Sequence, residues 1–431
     1  MIQEIDNRIS EEPNDHGIYS AKVAYELKPD YSIKKKIALV DADLLDGGTR
    51  HPNLVIMKLA GYFKEKGCDV KLIEDYSELM VEVPEWPAMN SYTGVNDYDA
   101  IYISKVFDFT HVDRGLLNFS NVFFGGTGFF FDHAPSLPYE IEHHMPDYTI
   151  YNDFIEHDKK HKNKTTYFKD YLYFSIGFAT RGCFRQCKFC VNHACKTIEF
   201  HSHIKEWLDP SRKYIYLWDD NILGYPKWRD VLEELKATGK PFQFRQGMDM
   251  RLMTAEKAEV LNSCKYYGDY IFAFDHPEDA PIIEKKLTLW RKYCSKSTKL
   301  YVLAGFDGID EKEITSVFER IRILLKYGCY PYIMRHENYL KSPYKGLFIQ
   351  IARWCNQPQF LKKLSFREYC YQCQKYHKSP GYGAPMRALV EFEEKFPEIA
   401  REYFDIKFEE QPYVIEQKRL LAEKNAAQSD R

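Results

Sequence analysis

Short apolar runs alternate with amphipathic stretches along most of the chain. Lys36 to Asp41 (KIALVD) follows a lysine cluster and predicts a first strand. Asn53 to Lys66 carries apolar residues at helical spacing and stops at Gly67, a C-cap position. Asp69 to Ile73 and Ala100 to Ser104 predict two more strands, and Val122 to Phe124 runs into Gly125-Gly126-Thr127-Gly128. This β–helix–β rhythm predicts an open parallel sheet, Rossmann-type, over residues 34–150. Ligands of such sheets lie at the carboxyl ends of the strands, which places Asp41, Asp43, Ser104 and the Gly125 to Gly128 turn there. Residues 1–33 are polar and weakly patterned and read as an arm. Residues 151–172 are polar and lysine-rich and read as a linker.

The rhythm restarts at residue 173. Strands are predicted at Phe174 to Thr180, Tyr214 to Trp218, Phe242 to Gly247, Tyr270 to Asp275, Lys299 to Gly305 and Tyr330 to Arg335. Helices are predicted between them: one ending near Trp207, then Lys227 to Thr238, Ala255 to Tyr266, Pro281 to Tyr293 and Glu311 to Tyr327. Six such steps suit a partial parallel (β/α)6 barrel over 173–340, with helices outside. Residues 341–431 read as a mixed, mostly helical C-terminal region. The expected class is therefore α/β: an open parallel sheet, a partial barrel, and a helical end.

Composition narrows the function. The 431 residues are 45% hydrophobic, enough for two or three cores. Lys+Arg (60) and Asp+Glu (63) nearly cancel to a net of −3, so no large basic field for gripping nucleic acid is indicated, although a local patch stays open. The chain starts MIQEIDNRIS, with no apolar signal segment, and holds no apolar run of about 18 residues, so no membrane span is expected. The 11 cysteines cluster, four within Cys183 to Cys195 and three within Cys355 to Cys373. In the reducing cytoplasm expected for such a chain, clustered cysteines read as metal ligands or redox groups.

Thr180-Arg181-Gly182-Cys183-Phe184-Arg185-Gln186-Cys187-Lys188-Phe189-Cys190 has the spacing C-x3-C-x2-C directly after a predicted strand. Three thiolates on a tight loop can hold three irons of a cubane cluster and leave the fourth iron open to a chelating substrate. Cys195 breaks the spacing and reads as a packed thiol. The rival reading is a zinc loop with His193 as a further ligand.

This loop resembles the signature of radical S-adenosylmethionine (SAM) enzymes, and the resemblance extends over about residues 36–340. The architecture is similar to the subgroup with an N-terminal cobalamin-binding-like domain. The resemblance implies that Cys183, Cys187 and Cys190 ligate a [4Fe-4S] cluster and that SAM chelates the open iron. Reductive cleavage would then yield a 5′-deoxyadenosyl radical that takes hydrogen from a substrate of unspecified class. An electron donor such as flavodoxin or ferredoxin is implied as partner.

Further roles follow by the same resemblance. Asp219, Asp220 or Asn221 would accept from the SAM ammonium. The family motif there is more Gly-rich and ends in Glu, so which of the three makes the contact stays open, and an Asp–Asn turn or N-cap is the alternative. Arg245 or Arg251 would grip the methionine carboxylate, against the alternative of an Arg paired with Asp249. Gln246 would bond the ribose. Gly305 and the backbone of Phe189 would meet the adenine. Asp275, His276 and Arg335 would face SAM or substrate.

Cobalamin is left open. Within Val40 to Gly47, Asp43 stands where a D-x-H-x-x-G motif would carry the axial His, and His51 is a poor substitute on spacing. The Gly125 to Gly128 turn does match the family's Gly-rich turn. The methylthiotransferase subgroup is disfavoured, because Cys68 is the sole cysteine in the N-terminal region. Cys355, Cys370 and Cys373, followed by His377, give C-x14-C-x2-C-x3-H, read either as a zinc or auxiliary-cluster site or as buried thiols. The rival to the enzyme is an iron–sulfur or zinc protein whose Cys loop is structural and which binds a partner or nucleic acid.

Overall fold

A computed structural model describes residues 9–82, 90–192 and 195–429. The chain divides into two compact units, 1–217 and 218–431.

In the first unit, β1 (Lys36–Asp41), β2 (Asp69–Leu72), β5 (Ala100–Ser104) and β6 (Val122–Gly125) form a parallel sheet in the order β2-β1-β5-β6. Between β2 and β5, the two-residue strands β3 (Val81–Glu82) and β4 (Asn90–Ser91) pair antiparallel. Ile37, Ala38, Leu39 and Val40 are fully buried, as an aliphatic run in a parallel sheet covered on both faces should be. One face packs on helix Leu54–Glu65, whose Ile56, Leu59, Ala60 and Phe63 form its buried stripe. The other packs on Tyr19, Val23, Phe124, Phe129 and Phe130. The helix starts where Asn53 Oδ1 accepts from the N–H of Val55 (3.1 Å) and Ile56 (3.4 Å).

Two expectations change here. The linker at 151–172 holds three short helices, Asn152–His157, Lys164–Tyr167 and Lys169–Tyr173, whose Ile155, Phe168 and Tyr171 join the core against the first sheet. Its lysines 159, 160 and 162 stay exposed while the interleaved aromatics turn inward. The helix expected before Trp207 is replaced by a return strand. β7 (Phe174–Gly177) leads to β8 (Thr180–Arg181), which pairs antiparallel with β9 (Glu199–Phe200), and a 3-10 turn at Ile204–Glu206 precedes β10 (Tyr214–Leu217), parallel to β7.

In the second unit, β11 (Phe242–Phe244) precedes a parallel sheet of β12 (Met248–Asp249), β13 (Tyr270–Ala273), β14 (Thr298–Ala304) and β15 (Tyr330–Arg335), in that order. Helices Trp228–Ala237, Ala255–Ser263, Ala280–Tyr293 and Glu311–Lys326 supply the crossovers. Trp290 anchors one of them: it is fully buried, meets Tyr270 and Phe272 edge-on, and donates from Nε1 to Thr298 Oγ1 at 3.0 Å. Asn356 exchanges two hydrogen bonds with the backbone of Ile333, which covers the open edge of β15. Further helices, including Lys345–Cys355, Phe366–Lys375 and Ala384–Glu393, complete the mostly helical C-terminal region. The α/β class and its parallel strand–helix succession are as expected.

Candidate functional site

The cysteine loop is fastened at its base. Thr180 pairs with Phe200 and Arg181 with Glu199, and His201 N donates to Ala179 O at 2.8 Å. One step further in, Cys183 N donates to Cys195 O at 3.2 Å. Gly182 makes this closure possible: its φ is +93°, and a Cβ there would come within 2.0 Å of Thr197 O. Cys190 N then donates to Cys187 O at 2.9 Å, forming a tight turn, and Gln186 Nε2 donates to Cys183 O at 3.1 Å. Cys183, Cys187 and Cys190 are half-buried on this loop, while Cys195 is exposed.

The thiols are provided for electrically. Asn192 N–H donates to Cys190 Sγ at 3.4 Å, an interaction that favours thiolate over thiol and is typical of second-sphere support for a sulfur ligand. Among the described residues no three His, Cys, Asp or Glu are gathered for a single metal ion. Three half-buried thiols on one loop, with an amide on one sulfur, are the kind of donor set an iron–sulfur cluster takes. His193, the further ligand of the zinc alternative, lies outside the described residues.

A polar network under the loop was not foreseen. Lys58, buried on helix Leu54–Glu65, pairs with Glu142 at 2.7 Å, and His201 Nε2 lies 3.1 Å from the same carboxylate oxygen. Burial raises the Glu142 carboxyl, but His201 and Lys58 outweigh it and hold it down to about 2. Ser202 Oγ, 3.0 Å from His201 Nδ1, donates to Phe178 O at 2.7 Å. Beside it, Tyr148 O–H donates to Trp207 O at 2.6 Å and accepts from Ile176 N at 2.9 Å. The first sheet's helix thus grips the strand that carries the loop. Lys58, His201 and Tyr148 lie 59 to 84 residues from Glu142, Glu142 and Trp207 respectively, so no local motif could disclose these pairings.

Of the remaining candidates, Asp219, Asp220 and Asn221 follow β10 and Arg245 and Gln246 follow β11, whereas Arg251, Asp275, His276, Gly305 and Arg335 lie at or just beyond the carboxyl ends of the β12–β15 sheet. Asp219 and Asn221 are buried, Asp220 half-buried and Gln246 exposed. Arg251 is held by Asp249 (Nε to Oδ1 2.8 Å) and by Asp279 (Nη1 to Oδ2 2.7 Å). The alternative foreseen for an Arg here, pairing with Asp249, is the arrangement present. Arg245 Nη1 reaches Gln243 Oε1 at 3.5 Å. Gly305 N–H donates to Glu313 Oε1 at 3.1 Å and faces Tyr339. A buried Arg320 pairs with Glu313 (3.3 Å) and donates to the carbonyls of Asp275 (2.6 Å) and Leu303 (2.7 Å), fixing the ends of β13 and β14. Burial raises the Asp275 carboxyl to about 6, against the pull of Arg320 and His276. His276 Nδ1 meets Asp307 at 3.2 Å, and the Arg335 guanidinium lies over the Tyr339 ring.

At the carboxyl end of the first sheet, the chain itself takes up the groups that would cradle cobalamin. Asp43, in the place of the axial His, is buried and accepts from Val106 N (2.7 Å), Phe107 N (3.2 Å) and Thr110 Oγ1 (2.5 Å). A Cβ on Gly126 would come within 2.3 Å of Lys105 O, and one on Gly128 within 2.7 Å of the Lys105 side chain. Gly126 and Gly128 of the turn are packed against Lys105 and Phe107 of the chain's own 105–110 loop, while Gly125 stays open. These residues do not fit cobalamin.

In the second cysteine group, Cys355 and Cys370 are buried and Cys373 is half-buried, with Cys370 and Cys373 on helix Phe366–Lys375. Burial raises the Cys355 and Cys370 thiols well above their usual range, and among the described residues no three His, Cys, Asp or Glu gather here for a metal ion.

No family model and no curated protein matches this chain. It is similar to the solved structure of the radical S-adenosylmethionine methyltransferase TsrM from Kitasatospora setae with cobalamin and a [4Fe-4S] cluster bound, at 11% identity and a TM-score of 0.44, over 81% of this chain and 80% of that one. It is also similar to the cobalamin-dependent S-adenosylmethionine radical enzyme OxsB with aqua-cobalamin and S-adenosylmethionine bound, at 12% identity and a TM-score of 0.31, over 89% of this chain and 57% of that one. Among the described residues, no helix is long and apolar enough to cross a membrane.

Proposed function

We propose that the chain is a radical SAM enzyme in which Cys183, Cys187 and Cys190 hold a [4Fe-4S] cluster. The observation that carries this reading is the loop itself: three half-buried thiols at C-x3-C-x2-C spacing, locked by the β8–β9 ladder, with an amide donor on one sulfur. Such a cluster, when bound and reduced, supplies the electron that cleaves SAM into methionine and a 5′-deoxyadenosyl radical able to take hydrogen from a substrate.

The chain's share is to hold and orient. Asn192 N–H would support Cys190 Sγ as a ligand through its hydrogen bond to the sulfur. Asp219, Asp220 and Asn221 supply acceptors suited to an ammonium, Gln246 a group suited to a ribose hydroxyl, and Gly305 and the Phe189 backbone an approach for a flat ring. Arg245 or Arg251 would meet the methionine carboxylate, Arg251 while also answering Asp249 and Asp279. Arg320 and Glu313 act as positioning residues through the strand ends they tie. Reduction would come from a flavodoxin- or ferredoxin-type donor. Cobalamin-dependent methyl transfer is not part of this reading, because Asp43 and the Gly-rich turn are otherwise engaged.

The test is anaerobic reconstitution with iron and sulfide, followed by a strong reductant and SAM. The expected product is 5′-deoxyadenosine, absent in Cys187→Ala. A fully loaded cluster that releases none would overturn the enzyme reading and leave a structural metal loop.

A further inference from the structure

We propose that a cavity at the carboxyl end of the first sheet binds a small molecule with an anionic head group, carboxylate or phosphate, on a flat ring. The cavity has a volume of about 760 Å³ and is lined by Lys105, Phe109, His111 and Arg114 from the segment after β5 and by the Pro13 to Tyr19 stretch of the arm, with Asp15, Asp108 and Asp113 also in its wall. Its lining residues Lys105 and Phe129 follow β5 and β6, so the cavity lies beyond the carboxyl ends of these neighbouring parallel strands, the end of an open sheet where ligands are taken. Lys105 is the first residue beyond β5.

The head group is argued from Lys105. Its residue is only 4% exposed. Its stem lies along Gly128, and its Nζ stands 4.9 Å from the Phe129 ring centre, 3.3 Å from Asp108 O and 3.8 Å from where a Cβ would sit on Gly17. Among the described residues no carboxylate lies within ion-pair distance of it. Buried ammonium groups are ordinarily paired, because an uncompensated one is costly. The nearby acids are occupied or in solvent. Asp43 is taken up by Val106, Phe107 and Thr110. Asp113 accepts from Tyr92 and from Gly115 N. Asp46 accepts from His111 N and Asp108 from Phe109 N, and Asp15 is exposed. Arg114 is paired with Glu12. Burial outweighs the pull of Asp43, Asp108 and Asp46 and pushes Lys105 below its usual range. An anion entering the cavity would give this ammonium the direct ion pair that none of those carboxylates makes.

The ring is argued from the rim. Phe107 and Phe109 stack at 5.2 Å with an interplanar angle of 12°, yet are 45% and 79% exposed. Two large apolar rings held side by side in water beside a cavity mark a contact surface. Phe109 lines the cavity, so a ligand whose anion meets Lys105 can lay its ring on this pair.

The site shares no residue with the cysteine loop, so its failure leaves the cluster reading standing. The test is titration calorimetry of the full chain with phenyl phosphate, benzoate, inorganic phosphate and the neutral control benzyl alcohol. At least one ring-bearing anion is expected to bind, and the preferred one names the head group. Lys105→Met keeps the stem and removes the charge, and is expected to weaken binding at least tenfold, about 1.4 kcal/mol. Phe109→Ala changes an exposed side chain, so the fold is retained; it is expected to weaken the ring-bearing probes and leave inorganic phosphate unchanged. The proposal is overturned if benzyl alcohol binds as well as benzoate, if no anion binds, or if Phe109→Ala and a Lys105→Met protein with unchanged circular dichroism both bind like the parent.

Discussion

The backbone N–H of Asn192 points at the Sγ of Cys190 across 3.4 Å, two residues along the same loop. That contact supports Cys190 as a ligand, while the carbonyl of Cys195, outside the C-x3-C-x2-C spacing, accepts from Cys183 N. Cys190→Ser is therefore expected to lose most of the about four irons per chain that reconstitution would load, and Cys195→Ser to keep them. Iron and sulfide analysis of the two purified variants checks this.

Gly182→Ala would force a side chain into a positive-φ position 2.0 Å from Thr197 O. A residue strained in this way costs about 1–3 kcal/mol, and the cost falls on the closure of the loop. The variant is expected to fold with little change in circular dichroism and to bind iron poorly. Normal iron content would show that the closure is not what shapes the site.

Glu142→Gln leaves Lys58 buried without its carboxylate. Removing one partner of a fully buried pair costs about 3–5 kcal/mol; with the Glu142 side chain 25% exposed, about 2 kcal/mol is expected in urea unfolding. Adding Lys58→Met should recover part of the loss, a non-additivity that a double-mutant cycle reads.

Asp41 is fully buried at the end of β1, accepts from Tyr151 O–H at 2.8 Å, and is raised by burial to about 7. The folded chain thus holds a proton that the unfolded chain, with an Asp near about 3.9, has released. Folding stability should fall as pH rises from about 4 through 7, because the native state binds more protons across that window. Asp41→Asn mimics the protonated acid and should flatten this slope. Urea midpoints of both proteins between pH 5 and 8 decide it.

Hydroxocobalamin mixed with the protein and removed by desalting should leave no corrin absorption behind, since Asp43 and the Gly126–Gly128 turn are taken up by the 105–110 loop. Retention at one corrin per chain would contradict that reading of the turn.

What the sequence disclosed was whatever is local. β1 and β5 are aliphatic runs, helix Leu54–Glu65 shows its period and its Asn53 cap, and the cysteine spacing is contained within eight residues. What it hid depends on distant partners. Arg251 looks like a carboxylate ligand until Asp279, 28 residues on, closes over it. Gly126 and Gly128 look like a cofactor turn until Lys105 packs into them. Residues 151–172 look like solvent-exposed linker by their lysines, and only the burial of Phe168 and Tyr171 shows which side of the segment matters.

The two-rung ladder joining Thr180–Arg181 to Glu199–Phe200 also has a practical meaning. Entry to and exit from the cysteine segment are adjacent and their spacing is set by main-chain hydrogen bonds rather than by the residues between. Residues 182–198 therefore form a cassette. Provided Gly182 and the Cys183–Cys195 closure are kept, an exchange of the residues between them is expected to leave the anchoring strands and the parallel pair β7–β10 in place, which makes this segment the natural unit for grafting.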